Sequence, residues 1–106
     1  MDLKLFVRGV DRPEELREYA RLRVAKSLDR HAKRIQQATV RLEDETGPRK
    51  HKIDKVCSIS LHLRTGEIHV REIGKDMLQV LDTALGRARA ALGRQISRRK
   101  RGIGQG

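Results

Sequence analysis

The chain has 106 residues, with 25 Lys and Arg against 14 Asp and Glu, a formal net charge of +11 and an isoelectric point near 10.9. That length holds one compact core, and a field of that sign concentrates phosphates, so nucleic acid leads the partner classes. Tyr19 and Phe6 are the only aromatic residues, which argues against a surface built to stack bases and for contacts with phosphates and overall shape.

One cysteine, Cys57, excludes an intrachain disulfide and a thiolate zinc cluster. No apolar run reaches bilayer length, and "MDLKLFVRGV" is too short and too interrupted by charge for a signal peptide. A soluble cytoplasmic protein is expected.

In chain order, "LKLFVRG" alternates, with Leu3, Leu5 and Val7 on one side and Lys4, Phe6 and Arg8 on the other, the period of a half-buried strand. Asp11, Pro13 and Glu14 then supply a capping-box-like start. Leu16, Ala20, Val24, Leu28, His31 and Ile35 recur at helical spacing, predicting a first helix from Pro13 to Arg34. "ATVRLED" reads as a second strand with Val40 and Leu42 inward, and "ETGPRKHKIDK" as a solvated loop.

"VCSISLHLRTGEIHVREI" reads as a hairpin turning at Thr65 and Gly66. That turn sets Leu63 opposite Ile68, Leu61 opposite Val70, and Arg64 opposite Glu67. Gly74 ends the strand and Asp76 caps a second helix, whose apolar face is Met77, Leu81, Ala84, Leu85, Ala88, Leu92 and Ile96. The expected fold is α+β, in the order β-α-β-β-β-α. Residues 1–98 form one domain and 99–106 a flexible basic, glycine-containing tail.

On a helical wheel the charges segregate. Arg23, Lys26, Arg30 and Lys33 form one stripe beside the apolar face of the first helix, with Tyr19 in line. Arg87, Arg94, Arg98 and Arg101 form a stripe on one flank of the second, while Arg89 and Lys100 lie on the other. Two helices side by side on a sheet would join the two stripes into a basic groove following a phosphate backbone. Arginine predominates on the second helix, and its planar fork clamps phosphate oxygens, which favours structured RNA.

The residues now resemble a known family, the ribosome hibernation promoting factors and the related ribosome-associated translation inhibitors, also described as sigma-54 modulation protein-like. The resemblance spans nearly all of residues 1–98 and rests on "ELREYARLRVAK", "VRLEDE" and "DMLQVLDTAL" in that order and spacing. It implies a four-stranded sheet with two roughly parallel helices on one face, related to double-stranded RNA-binding domains. It further implies binding to the small ribosomal subunit and its ribosomal RNA in the decoding channel, blocking messenger and transfer RNA.

The family's first-helix basic positions fall on Arg23 and Lys26, and its second-helix positions on Arg87 and Arg94. Ala90 and Ala91 stand where a basic-polar pair is usual, and Leu78 where tyrosine is usual, so the run from Arg98 to Arg101 is a candidate substitute for lost contacts. The chain is expected to behave as a short form without the dimerising domain of long members, and as a monomer off the ribosome.

Other readings are weaker. His62 and His69 come out opposite each other, but no third ligand adjoins them, so no metal is expected. No phosphate loop, nucleophile elbow or paired carboxylates mark an enzyme, and neither a cofactor nor a small-molecule substrate is implied. The alanine-rich face of the second helix lacks the Trp and Phe anchors of membrane-surface helices. The alternative function is a structural RNA-binding or ribosome-assembly protein using the same groove.

Overall fold

The computed structural model describes residues 1–45 and 54–105, with side chains as far as Ser97. Its elements are β1 (Asp2–Arg8), α1 (Pro13–Leu28), a 3-10 segment (Asp29–Arg34), β2 (Ile35–Asp44), β3 (Lys55–Leu63), β4 (Gly66–Gly74) and α2 (Met77–Gln105). The four strands form one sheet in the order β1-β2-β3-β4, with β1 parallel to β2 and the other two pairings antiparallel. β4 therefore runs the same way as β1 and β2. α1 and α2, each returning along the sheet from one of these strands, are roughly parallel.

Alternation within the strands produces the two layers. Ala38, Val40 and Leu42 of β2, Cys57, Ile59 and Leu61 of β3, and Ile68 and Val70 of β4 are buried beneath the helices. They meet Ala20, Val24 and Leu28 of α1 and Leu81, Ala84, Leu85, Ala88 and Leu92 of α2. Leu3, Leu5 and Val7 of β1 pack partly against the same core. The other face of the sheet carries no helix and is mostly polar.

Several boundaries differ from the sequence expectation. The first α-helix stops at Leu28, and the chain tightens into a 3-10 turn through Arg34. Ile35 therefore lies not on a helix but at the start of β2, 2% exposed. No loop separates the two elements, so the last turns must tighten to deliver Ile35 directly into the sheet. Nor does Asp11 cap α1. The N-cap is Arg12, without a side-chain cap, and Pro13 takes the first helical position, where a missing N–H costs nothing.

Asp76 does cap α2, its Oδ1 accepting from the backbone N–H of Leu78 at 3.0 Å and of Gln79 at 3.4 Å. α2 continues past residue 98, the expected end of the domain, to Gln105. Arg and Lys are strong helix formers and carry the helical backbone through a segment interrupted by single glycines. Most of the expected loop between β2 and β3 lies outside the described residues. Asp54 and Lys55, read as part of it, are instead drawn in: Asp54 is 6% exposed, and Lys55 Nζ bridges Asp54 Oδ1 at 2.8 Å and Asp44 Oδ2 at 3.2 Å.

The hairpin register is displaced by two residues. Leu63 pairs with Gly66, Leu61 with Ile68 and Ile59 with Val70, so Arg64 and Thr65 form the turn. Because side chains alternate with period two, a two-residue shift leaves every residue on its expected face while changing every partner. His62 and His69 are accordingly not opposite each other. His62 faces Glu67, and His69 faces Ser60. Glu67 accepts from His62 Nδ1 at 3.1 Å and from His69 Nε2 at 2.9 Å, while Ser60 Oγ lies 3.0 Å from His69 Nδ1. Both imidazoles satisfy this set in their neutral forms if His62 carries its proton on Nδ1 and His69 on Nε2.

The glycines provide a paired stability test. Gly9 has φ 76°, and a Cβ there would lie 2.2 Å from the Asp44 carbonyl oxygen, whereas a Cβ on Gly93 in α2 meets nothing within 4 Å. Gly9→Ala should lower the unfolding free energy by more than about 1 kcal/mol and Gly93→Ala should raise it by about 0.5 to 1 kcal/mol in urea titrations. Effects of the same sign at both positions would contradict this geometry.

Glu67 offers a pH test. The hydrogen bond from His62, then that from His69, holds its carboxyl below the ordinary 4.5. A depressed carboxyl contributes its stability above 4.5 and loses it as pH falls through the lower folded value. Glu67→Gln should therefore separate from the parent in urea midpoint near neutral pH and converge with it in acid. Since the site is solvent-exposed, the separation should be small and shrink with added salt.

Candidate nucleic-acid interface

The two helices lie side by side on the sheet, and a shallow groove runs between them, lined by Arg23, Lys26 and Ser27 of α1 and Asp82, Leu85 and Arg89 of α2. The apolar sides of both helices are committed to the core, so their flanks set what the groove presents. Asp82, Leu85 and Arg89 are spaced by three and four, which keeps them on one flank of α2. Arg23 and Lys26 are three apart on the facing flank of α1.

One ion pair crosses the groove. Arg23 Nε and Nη2 both donate to Asp82 Oδ1, at 3.1 and 2.7 Å. The hydrogen bond to Asp82 raises the Arg23 pKa above its ordinary value, so the guanidinium stays charged. Both side chains remain about two-fifths exposed, at 42% and 43%, so the pair is within reach of a further acceptor. Lys26 and Arg89 are exposed beside this pair. Three cations thus share the groove with a single carboxylate.

The remaining expected residues divide between two places. Arg30 and Lys33 are exposed on the 3-10 segment that continues α1. In a 3-10 helix residues three apart eclipse, so these two stay aligned despite the change of helix type. Arg87 does not reach the groove. Its Nη1 donates to Glu72 and, at 3.3 Å, to the Arg71 carbonyl oxygen, both on the edge strand β4. Arg94, two turns further on, shares that outer flank and is exposed. The Arg98 side chain lies outside the described residues.

The expected union of the Arg23 and Arg87 stripes is therefore corrected. α1 meets the flank of α2 that carries Asp82 and Arg89, while the Arg87 flank overhangs β4. The wheel separated the two flanks of α2 but did not say which faced α1. That depends on the strand order, which puts β4 at the edge and α1 on the opposite side of α2. Arg89 was thus visible on the other flank, and only the sheet topology assigns it, together with Asp82, to the groove.

Cys57 is fully buried, and burial, with a smaller effect from the Glu72 carboxylate, pushes its thiol up to about 12, consistent with a packing residue rather than a nucleophile. Among the described residues no three His, Cys, Asp or Glu are placed to hold a metal ion, and no helix is long and apolar enough to cross a membrane.

Comparison with known proteins agrees with this architecture. A ribosome hibernation promoting factor of Salmonella typhimurium is 32% identical over 100 residues, covering 94% of each chain. The structure of the N-terminal domain of Protein Y from Thermus thermophilus superposes with a TM-score of 0.70 at 25% identity, covering 89% of this chain and 98% of that one. A ribosomal subunit interface protein from Coxiella burnetii shares the fold, with a TM-score of 0.70 at 19% identity over 92% of this chain and 99% of that one. The sequence pattern of the family described as "Sigma 54 modulation protein / S30EA ribosomal protein" matches residues 3–102, and the chain belongs to that family.

Proposed function

We propose that this protein is a ribosome-associated hibernation factor that binds ribosomal RNA of the small subunit in the decoding channel and thereby blocks messenger and transfer RNA. The observation that carries this reading is the inter-helix groove, where Arg23, Lys26 and Arg89 stand exposed around one carboxylate in a chain of net charge +11. The likeness to a ribosome hibernation promoting factor over nearly the whole chain supports the choice of partner.

Arg23, Lys26 and Arg89 hold one phosphate strand along the groove, and Arg30 and Lys33 extend the line beyond α1. Arg87 and Arg94 form a second line on the outer flank of α2, and Arg98 is assigned to RNA contact from its sequence position alone. Arg87 must exchange its Glu72 contact for phosphate, as Arg23 must exchange or share Asp82. Such contacts position the protein by backbone charge and shape, without reading sequence. The factor acts as a single chain in the cytoplasm, without a cofactor and without catalysing a reaction.

Sedimentation with purified small subunits tests the reading. The protein should travel with mature subunits and be displaced by transfer RNA. Association only with subunit precursors or free RNA would instead favour a structural or assembly role.

The groove residues make a second test. Arg23→Glu with Lys26→Glu should weaken subunit binding and flatten the dependence of log Kd on log salt by about one to two, since each lost phosphate contact removes up to about one unit of slope. Thermal melts should show the fold retained. An unchanged slope would remove these two residues from the interface.

A further inference from the structure

The open face of the sheet carries its own ordered pattern of charge. Strand pairing arranges its outward side chains in cross-strand rows. One middle row runs Phe6, Arg41, Ser58, Arg71, and the next runs Lys4, Thr39, Ser60, His69. Neither row contains a carboxylate. The acidic residues of this face, Asp2, Glu43 and Glu67, occupy the rows on either side. Lys4, Arg41 and Arg71 are exposed, and none is in an ion pair among the described residues.

Phe6 stands in the same strip, 44% exposed. A large apolar ring on a solvated strand face needs a reason, and here one guanidinium is already stacked on it: Arg41 Cζ lies 4.4 Å from the ring centroid. Beside Arg41, the small Ser58 on β3 leaves a low floor between the two arginines of β2 and β4, which are two strand spacings, roughly 10 Å, apart. A flat π-face, a second planar group stacked on it, flanking cations and hydroxyls between them are the chemistry that holds an unpaired nucleotide.

We propose that this strip is a second RNA-binding surface, separate from the helical groove, which takes a single-stranded segment with one base stacked against the Phe6–Arg41 pair and adjoining phosphates on Lys4 and Arg71. Double-stranded RNA does not fit this role, because its bases are stacked within the helix and a flat sheet face offers them no access. The scarcity of aromatics limits the site to a single stacked base. With the groove on one side of the molecule and the strip on the other, the protein holds two RNA segments at once. The inference rests on the reading that the partner is RNA, but not on the helical residues assigned to it.

The test uses a short adenosine oligoribonucleotide containing one 2-aminopurine, whose fluorescence falls when the base stacks. The full-length protein should quench it on binding. Phe6→Leu, paired with Arg71→Ser, should abolish the quenching and weaken oligonucleotide binding at least about tenfold, within the range expected for loss of one ring–base stack and a phosphate contact. Both positions are exposed, so the variants should melt as the parent does.

Arg23→Glu with Lys26→Glu should keep the quenching while weakening sedimentation with subunits. If the Phe6→Leu protein quenches as strongly as the parent, if the parent does not quench at all, or if the helical variant alone removes the quenching, the proposal is overturned. If the helical variant sediments with subunits as strongly as the parent while the Phe6 result holds, the groove assignment fails and the sheet site stands.

Discussion

A sheet covered by helices on one face only imposes a rule on most strand residues: parity decides whether a side chain meets the core or the solvent, Val56 being an exception that is buried on the uncovered face between Glu43 and Ile73. The burial of Ala38, Val40 and Leu42 and the exposure of Arg41 between them follow from that rule. So does the separation of roles around it. The helical layer needs the apolar sides of α1 and α2, which leaves their flanks for charge. The uncovered face needs few apolar residues, and Phe6 is the aromatic one there, alongside the exposed Ile73 at the sheet edge.

Much of the fold could be read from periodicity alone, because strand and helix periods are distinct and the chain switches between them at Pro13, Ile35 and Gly74 or within a few residues of each. What periodicity could not supply was registration. The inward and outward sets of the hairpin are the same in either of two registers, and only the turn decides between them. Pairing on the helix side joins Leu61 to Ile68. The alternative partner, Val70, is equally apolar, so hydrophobic matching had no power to choose.

The end of α1 was obscured for a similar reason, since Ile35 continues the helical spacing of buried residues although it belongs to a strand. At the groove, the two flanks of α2 were legible from spacing, whereas their assignment to α1 or to the sheet edge needed the strand order. Arg87 illustrates the difference. Its place on a flank followed from the wheel, but its partner Glu72 is a strand residue fifteen positions earlier, which no helical projection displays. The acidic residues are few, yet at these points each stands next to a cation that would otherwise face like charge: Asp82 beside Arg23, Glu72 beside Arg87, and Asp44 and Asp54 around Lys55.

Asp82 therefore acts as a counterion that the chain supplies to itself. In the free protein it occupies the place beside Arg23 that a dissolved anion would otherwise take, and it lowers the repulsion between two cationic helices packed together. In the proposed RNA complex a phosphate takes over Arg23, and the anion displaced is a tethered carboxylate, which stays with the protein instead of entering solution. That exchange carries less of the entropy that free ions contribute to polyanion binding, so the Arg23 contact should outlast its neighbours as ionic strength rises.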